Sequence, residues 1–100
     1  MEDQQENKTV DLSTIVNADN ISKAVKLTGM PWKASLNDVK EFFKDFNVTD
    51  DNIKIEMTRG RKTGNAIIFV NEEDDVQRAR EELNKQYIGE RFVFVDIPKL

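Results

Sequence analysis

The chain has neither histidine nor cysteine among its 100 residues, and that omission limits the chemistry open to it. Without imidazole or thiol, the common zinc ligands, the common general base and the cysteine nucleophile are all missing, so no enzymatic activity, metal or cofactor is expected. What remains is a set of ring and cation positions: Trp32 directly after Pro31, the run Arg59-Gly60-Arg61-Lys62, and the adjacent pair Arg91-Phe92. Such groups hold a ligand by stacking, cation–π attraction and charge-assisted hydrogen bonds rather than by making bonds to it. Each position also has a plainer reading. Trp32 can cover the end of a core, and the basic run can be the solvated tip of a turn. Arg91 can pair with Glu90 or Glu56, and Phe92 can be ordinary strand packing.

A chain of this length supports one apolar core. With 38% hydrophobic and 34% charged residues it has the profile of a soluble domain. The formal charge of -4 is not spread evenly. Glu2, Asp3, Glu6, Asp11 and Asp19 stand against Lys8 in residues 1–20, which accounts for the whole excess and leaves the remainder neutral. Residues 1–21 therefore read as an acidic extension and residues 22–100 as the domain. Within the extension, Val10, Leu12, Ile15 and Val16 form a weak apolar cluster, so either disorder or a short element docked on the domain fits. No apolar run approaches the roughly 20 residues of a membrane span, and the acidic start is the opposite of a signal peptide. An intracellular protein without membrane attachment is expected.

Several segments have a clear periodicity. Ala24-Val25-Lys26-Leu27-Thr28 alternates as a strand with Val25 and Leu27 on its buried face, and Pro31 ends it. Ser35-Leu36-Asn37-Asp38 resembles a capping box, followed by Leu36, Val39, Phe42, Phe43 and Phe46 at helical spacing. Ile53-Lys54-Ile55-Glu56-Met57 alternates as a second strand, residues 58–64 read as a glycine-bearing hairpin loop, and Ala66-Ile67-Ile68-Phe69-Val70 is a third, central strand. Asn71 is placed to cap a helix carrying Val76, Ala79 and Leu83, with acidic residues in its first turn. Tyr87-Ile88-Gly89 then reads as a turn before a fourth strand, Arg91–Asp96. The order predicts an α+β, ferredoxin-like β-α-β-β-α-β sandwich: a four-stranded antiparallel sheet with two helices on one face.

On these residues the chain resembles an RNA recognition motif (RRM). Val25-Lys26-Leu27-Thr28-Gly29-Met30-Pro31-Trp32, the Phe42-Phe43 pair, the stretch Thr58–Ala66 and Gly89-Glu90-Arg91-Phe92-Val93-Phe94-Val95 look most like the quasi-RRM domains of the hnRNP F/H group. An ordinary RRM stacks bases on aromatic residues of its central strands. Here those positions hold Lys26, Asn65 and Ile67, and none is aromatic. The resemblance implies instead that loops bind single-stranded, guanine-rich RNA, through Trp32, through Arg59, Arg61 and Lys62, and through Arg91 and Phe92. Thr28 stands where the family usually has arginine, and Phe92 where it more often has tyrosine. The same resemblance implies RNA processing within a ribonucleoprotein, in the nucleus ahead of the cytoplasm, with an organelle as a further location open to it.

A second feature concerns the other side of the sheet. If Val25, Leu27, Ala66, Ile68, Val93 and Val95 face the helices, alternation turns Ile67, Phe69, Phe92 and Phe94 away from them. Ile67, Phe69 and Phe94 then form a candidate surface for self-association or for another protein of a ribonucleoprotein complex, unless residues 10–21 or a partner cover it.

Overall fold

The structure, a computed structural model, describes residues 11–31 and 33–98. Strand β1, Ala24–Thr28, leads into helix α1, Leu36–Phe42, which starts at a reciprocal capping box. The Ser35 Oγ accepts the Asp38 N–H at 3.3 Å, and Asp38 Oδ2 accepts the Ser35 N–H at 2.9 Å. Strands β2, Ile53–Thr58, and β3, Arg61–Phe69, form a hairpin. Helix α2, Glu73–Leu83, precedes the short strands β4, Tyr87–Ile88, β5, Arg91–Phe92, and β6, Phe94–Asp96. The main sheet has the order β2-β3-β1-β6 with every pair antiparallel, and β4 with β5 makes a separate two-stranded ribbon. This is the expected ferredoxin-like fold.

Strand alternation decides which residues build the core. Val25 and Leu27 on β1, Ala66 and Ile68 on β3, and Val93 and Val95 near the edge are buried against Val39, Phe43, Val76 and Ala79 of the helical layer. Phe43 is fully buried and makes edge-to-face contacts with Phe42 and Phe46, at 5.6 and 5.8 Å between centroids. The Arg78 guanidinium covers the outer side of this cluster, 4.2 Å from the Phe46 ring centre.

Four local expectations are corrected. The β2–β3 loop is not residues 58–64 but the two-residue turn Arg59-Gly60, since Thr58 pairs directly with Arg61. Both turn residues have positive φ, 53° and 81°, the primed geometry whose twist matches that of the flanking strands. Asn71 does not cap α2. Its amide donates to the Phe46 and Asn47 carbonyls at 3.2 and 3.4 Å, tying the two helical segments together, and Glu72 takes the cap position without a side-chain bond. Tyr87-Ile88 is a strand rather than part of a turn, because Gly89, at φ 62°, and Glu90 let the chain fold back so that Ile88 pairs with Arg91. The last strand is broken at Val93. Its N–H donates to Gln86 O and its carbonyl accepts from Lys85 N, both at 2.8 Å, so the chain changes partner there from β4 to β1.

Residues 11–16 lie across the open face of the sheet. A 3-10 turn at Leu12–Thr14 places Leu12 and Val16 on Ala24 and Ile67, with Ile15, Ile21 and Phe69 around them. Ile67 does point away from the helices, but it is only 1% exposed. The expectation that it offers an open protein-binding surface is therefore corrected, because covering it removes apolar area from water. Glu56 anchors this strap. Burial alone would raise its pKa, but hydrogen bonds from Thr63 (2.6 Å), Asn65 (2.9 Å) and the Leu12 backbone, together with the nearby Lys26 charge, outweigh it and hold the carboxyl below its usual 4.5.

A folded-state pKa below the unfolded value means that the carboxylate stabilises the docked form above about pH 4.5. That contribution is lost as pH falls through the lower folded value. On acid titration the methyl resonances of Leu12 and Val16 are expected to move together with a midpoint below 4.5, and Glu56→Gln to remove that transition. A midpoint at or above the usual value would contradict the anchor.

Candidate nucleic-acid interface

Beside one end of the sheet the β1–α1 loop meets the first half of β3 on one flank and the β4–β5 turn on the other. The β1–α1 loop is tied to β3 at two points: Met30 N–H donates to Gly64 O at 3.0 Å, and Lys62 Nζ donates to Ala34 O at 2.6 Å. Gly64 has φ 99°, and a Cβ there would stand 3.3 Å from Met30 O. The close approach of loop and strand thus needs glycine. On the other flank, Gly89 of the β4–β5 turn lies against the Pro31 ring.

Two clefts result. One, of about 530 Å³, is lined by Pro31, Lys33, Asp38, Gly89, Glu90 and Arg91 among others. The second, of similar size, is lined by Met57, Gly60, Arg61 and Lys62. Lys62, on the wall of the second, bonds to Ala34, which lines the first. Of the residues singled out from the sequence, the structure thus brings Arg91 together with the β1–α1 loop, and Arg61 and Lys62 together beside the β2–β3 turn that Arg59 opens. Lys62 is half-buried and engaged with the loop, whereas Arg59 and Arg61 are exposed. Trp32 falls outside the described residues, while its neighbours Pro31 and Lys33 both line the first cleft.

Phe92 lines neither cleft. It stands on the opposite side of the ribbon from Ile88 and Arg91, paired across β4–β5 with Tyr87. Tyr87, Phe92 and Phe94 form a row of exposed rings, 64%, 47% and 45% accessible, in successive edge-to-face contacts. Tyr87 was not among the residues expected from the sequence. The signal was present in a form only a hairpin reveals: it precedes Phe92 by five residues with Gly89-Glu90 between them. The Glu56 carboxylate is held by Thr63 and Asn65.

The central strands of the sheet have little to offer a base. Lys26 and Asn65 are not aromatic, the Asn65 amide is bonded to Glu56, and Ile67 lies under Leu12 and Val16. Loss of base stacking, worth about 1–3 kcal/mol per base, removes the main attraction of an ordinary RRM surface.

The fold and its bordering loops define an RRM-type domain whose sheet centre is covered and whose rim carries the cations and rings. Comparison with known proteins agrees. The RRM domain family model matches residues 25–97. G-rich sequence factor 1 of Mus musculus is 34% identical over 74 residues, 71% of this chain and 15% of that protein. Heterogeneous nuclear ribonucleoprotein F of Macaca fascicularis is 35% identical over 74 residues, 71% of this chain and 18% of that protein. Among solved structures, the crystal structure of a G-rich RNA sequence binding factor 1 from Homo sapiens superimposes with a TM-score of 0.70 at 31% identity, over 77% of this chain and 80% of that one. The chain belongs to the RNA recognition motif family, and its relatives include G-rich sequence factor 1 and the heterogeneous nuclear ribonucleoproteins F and H. The matched stretch spans less than a fifth of the curated relatives' length. Family membership supports RNA binding.

Proposed function

We propose that this domain binds single-stranded RNA at the rim of its sheet. The contacts come from the β1–α1 loop with Trp32, the Arg59-Gly60-Arg61 turn, and the β4–β5 hairpin with Arg91 and Phe92. Lys62 supports them by holding the first loop in place. The observation that carries this reading is the tethering of the β1–α1 loop to β3 through Met30–Gly64 and Lys62–Ala34, beside a sheet face whose central Ile67 is already covered. Guanidinium groups suit guanine edges and phosphates, and rings suit unstacked bases. The names of the relatives favour G-rich sequences and a place in a nuclear ribonucleoprotein, a setting that RNA processing fits. A binding module rather than an enzyme fits the same relatives.

The test is an NMR titration with short G-rich, U-rich and A-rich oligonucleotides. Amide shifts are expected at residues 29–34, 58–62 and 88–92, strongest with the G-rich RNA, with Ile67 nearly unmoved. Silence with all three would overturn the reading. If Arg59 and Arg61 meet phosphates, replacing both with alanine lowers the slope of log affinity against log salt by about 1.4, at about 0.7 per phosphate on a single strand. An unchanged slope would reject that role.

A further inference from the structure

Of the exposed row Tyr87, Phe92 and Phe94, the loop contacts proposed above use Phe92 alone. Phe92 is the middle ring: Tyr87 lies 5.8 Å from it and Phe94 5.5 Å, with interplanar angles of 65° and 68°. An edge-to-face contact uses at most one face of a ring, so each of the two outer rings, Tyr87 and Phe94, keeps a face that the row itself does not use. Phe94 continues the row from the ribbon onto the main sheet, where it is paired with Thr28 of β1.

Resting on the reading above, we propose that Tyr87 and Phe94 are two further base-stacking positions, on which single-stranded RNA continues beyond the loop clefts by way of Phe92. Two observations select this occupant. The centroid spacings exceed the rise of about 3.4 Å between neighbouring bases in a stacked strand. Bases laid on successive rings are therefore pulled apart from one another, which a splayed single strand allows and a duplex does not. The outer edge of β6 is also closed to a peptide strand, since the Val95 N–H donates to Asn84 Oδ1 at 2.9 Å and the Val93 backbone is bonded to Gln86 and Lys85. Strand addition, the common way in which a sheet edge takes an extended peptide, has no free donor at Val93 or Val95.

The experiment compares the full chain with Tyr87→Leu, Phe94→Leu and the double variant. Leucine keeps an apolar side chain at an exposed site but removes the flat ring. Affinity is measured for a G-rich RNA of about four nucleotides and for one of about eight, within the range of site sizes known for single-strand binders. Wild type is expected to hold the longer RNA more tightly. Each single variant should weaken it about 5- to 10-fold, the low end of the stacking range, and the double variant should bind both lengths equally while holding the short one as wild type does. If wild type gains nothing from length, or the variants keep the gain, the ring subsites are rejected and the loop reading stands. If neither RNA binds wild type, both fail. Sedimentation of the RNA-free chains supplies the remaining outcome: self-association of wild type that is lost in the double variant, with RNA affinity unchanged, would make the row an interface between copies and overturn the proposal.

Discussion

Phe43→Ala is expected to lower the stability of this domain by about 3–5 kcal/mol, the range for emptying a buried phenylalanine site. Phe43 is fully buried, touches both Phe42 and Phe46, and sits where α1 gives way to the 3-10 turn Lys44–Phe46. The neighbours that would have to collapse into the space are held by other constraints. Asn71 pins the Phe46 and Asn47 carbonyls, and the Arg78 guanidinium lies over the Phe46 ring. Because domains of this size are stable by about 5–15 kcal/mol, the variant should populate the unfolded state measurably at moderate temperature. Urea denaturation reads the effect as a fall in midpoint with the slope preserved. A loss below about 1 kcal/mol would show that this corner repacks freely.

Phe92→Ala is the counterpart on function. The ring is 47% exposed and its packing is with two other exposed rings, so little stability depends on it. Affinity for G-rich RNA is expected to fall by about 1–3 kcal/mol, or roughly 5- to 150-fold, as for removal of one base-stacking partner. Phe92→Tyr should bind at least as well as wild type, because it keeps the ring and adds a hydroxyl. Fluorescence anisotropy with a labelled oligonucleotide, paired with a melting curve, separates the two effects. A large drop in melting temperature accompanied by unchanged affinity would reverse the assignment and make Phe92 a structural residue.

How far the fold was legible depended on whether each signal was local. Helix α1 was readable because Ser35 and Asp38 announce its start and the apolar residues from Leu36 to Phe46 repeat at helical spacing. Strand β1 was readable from alternation over five residues. The β4–β5 ribbon was not, because two residues per strand are too few to show a period, and the break at Val93 depends on backbone partners at Lys85 and Gln86 that no side-chain pattern encodes. The extent of the Arg59-Gly60 turn is harder to read, since Lys62, Thr63 and Gly64 look like loop residues, yet Lys62 pairs with Met57 and the three are held in β3 by bonds to Ala34, Glu56 and Met30 respectively. The apolar cluster near Leu12 was visible. The open sheet face carrying Ile67 was one of the destinations the sequence offered it, but local pattern could not choose, because Ala24 and Ile67 become its partners only after the chain has folded. For the candidate site, the residue types were legible and the arrangement was only partly so: adjacent in sequence, Arg91 and Phe92 serve opposite sides of one ribbon.

The Arg59-Gly60 turn has a consequence for how the hairpin tip balances rigidity against charge. A tight turn with two left-handed residues is best served by asparagine followed by glycine, yet the first of them here is an arginine at φ 53°, a conformation that disfavours a long L side chain by about 1–2 kcal/mol. A hairpin selected for rigidity alone would not place arginine there. The tip gives up part of its own stability to keep a positive charge in its exposed turn, so replacing Arg59 with asparagine would harden the turn while removing that charge.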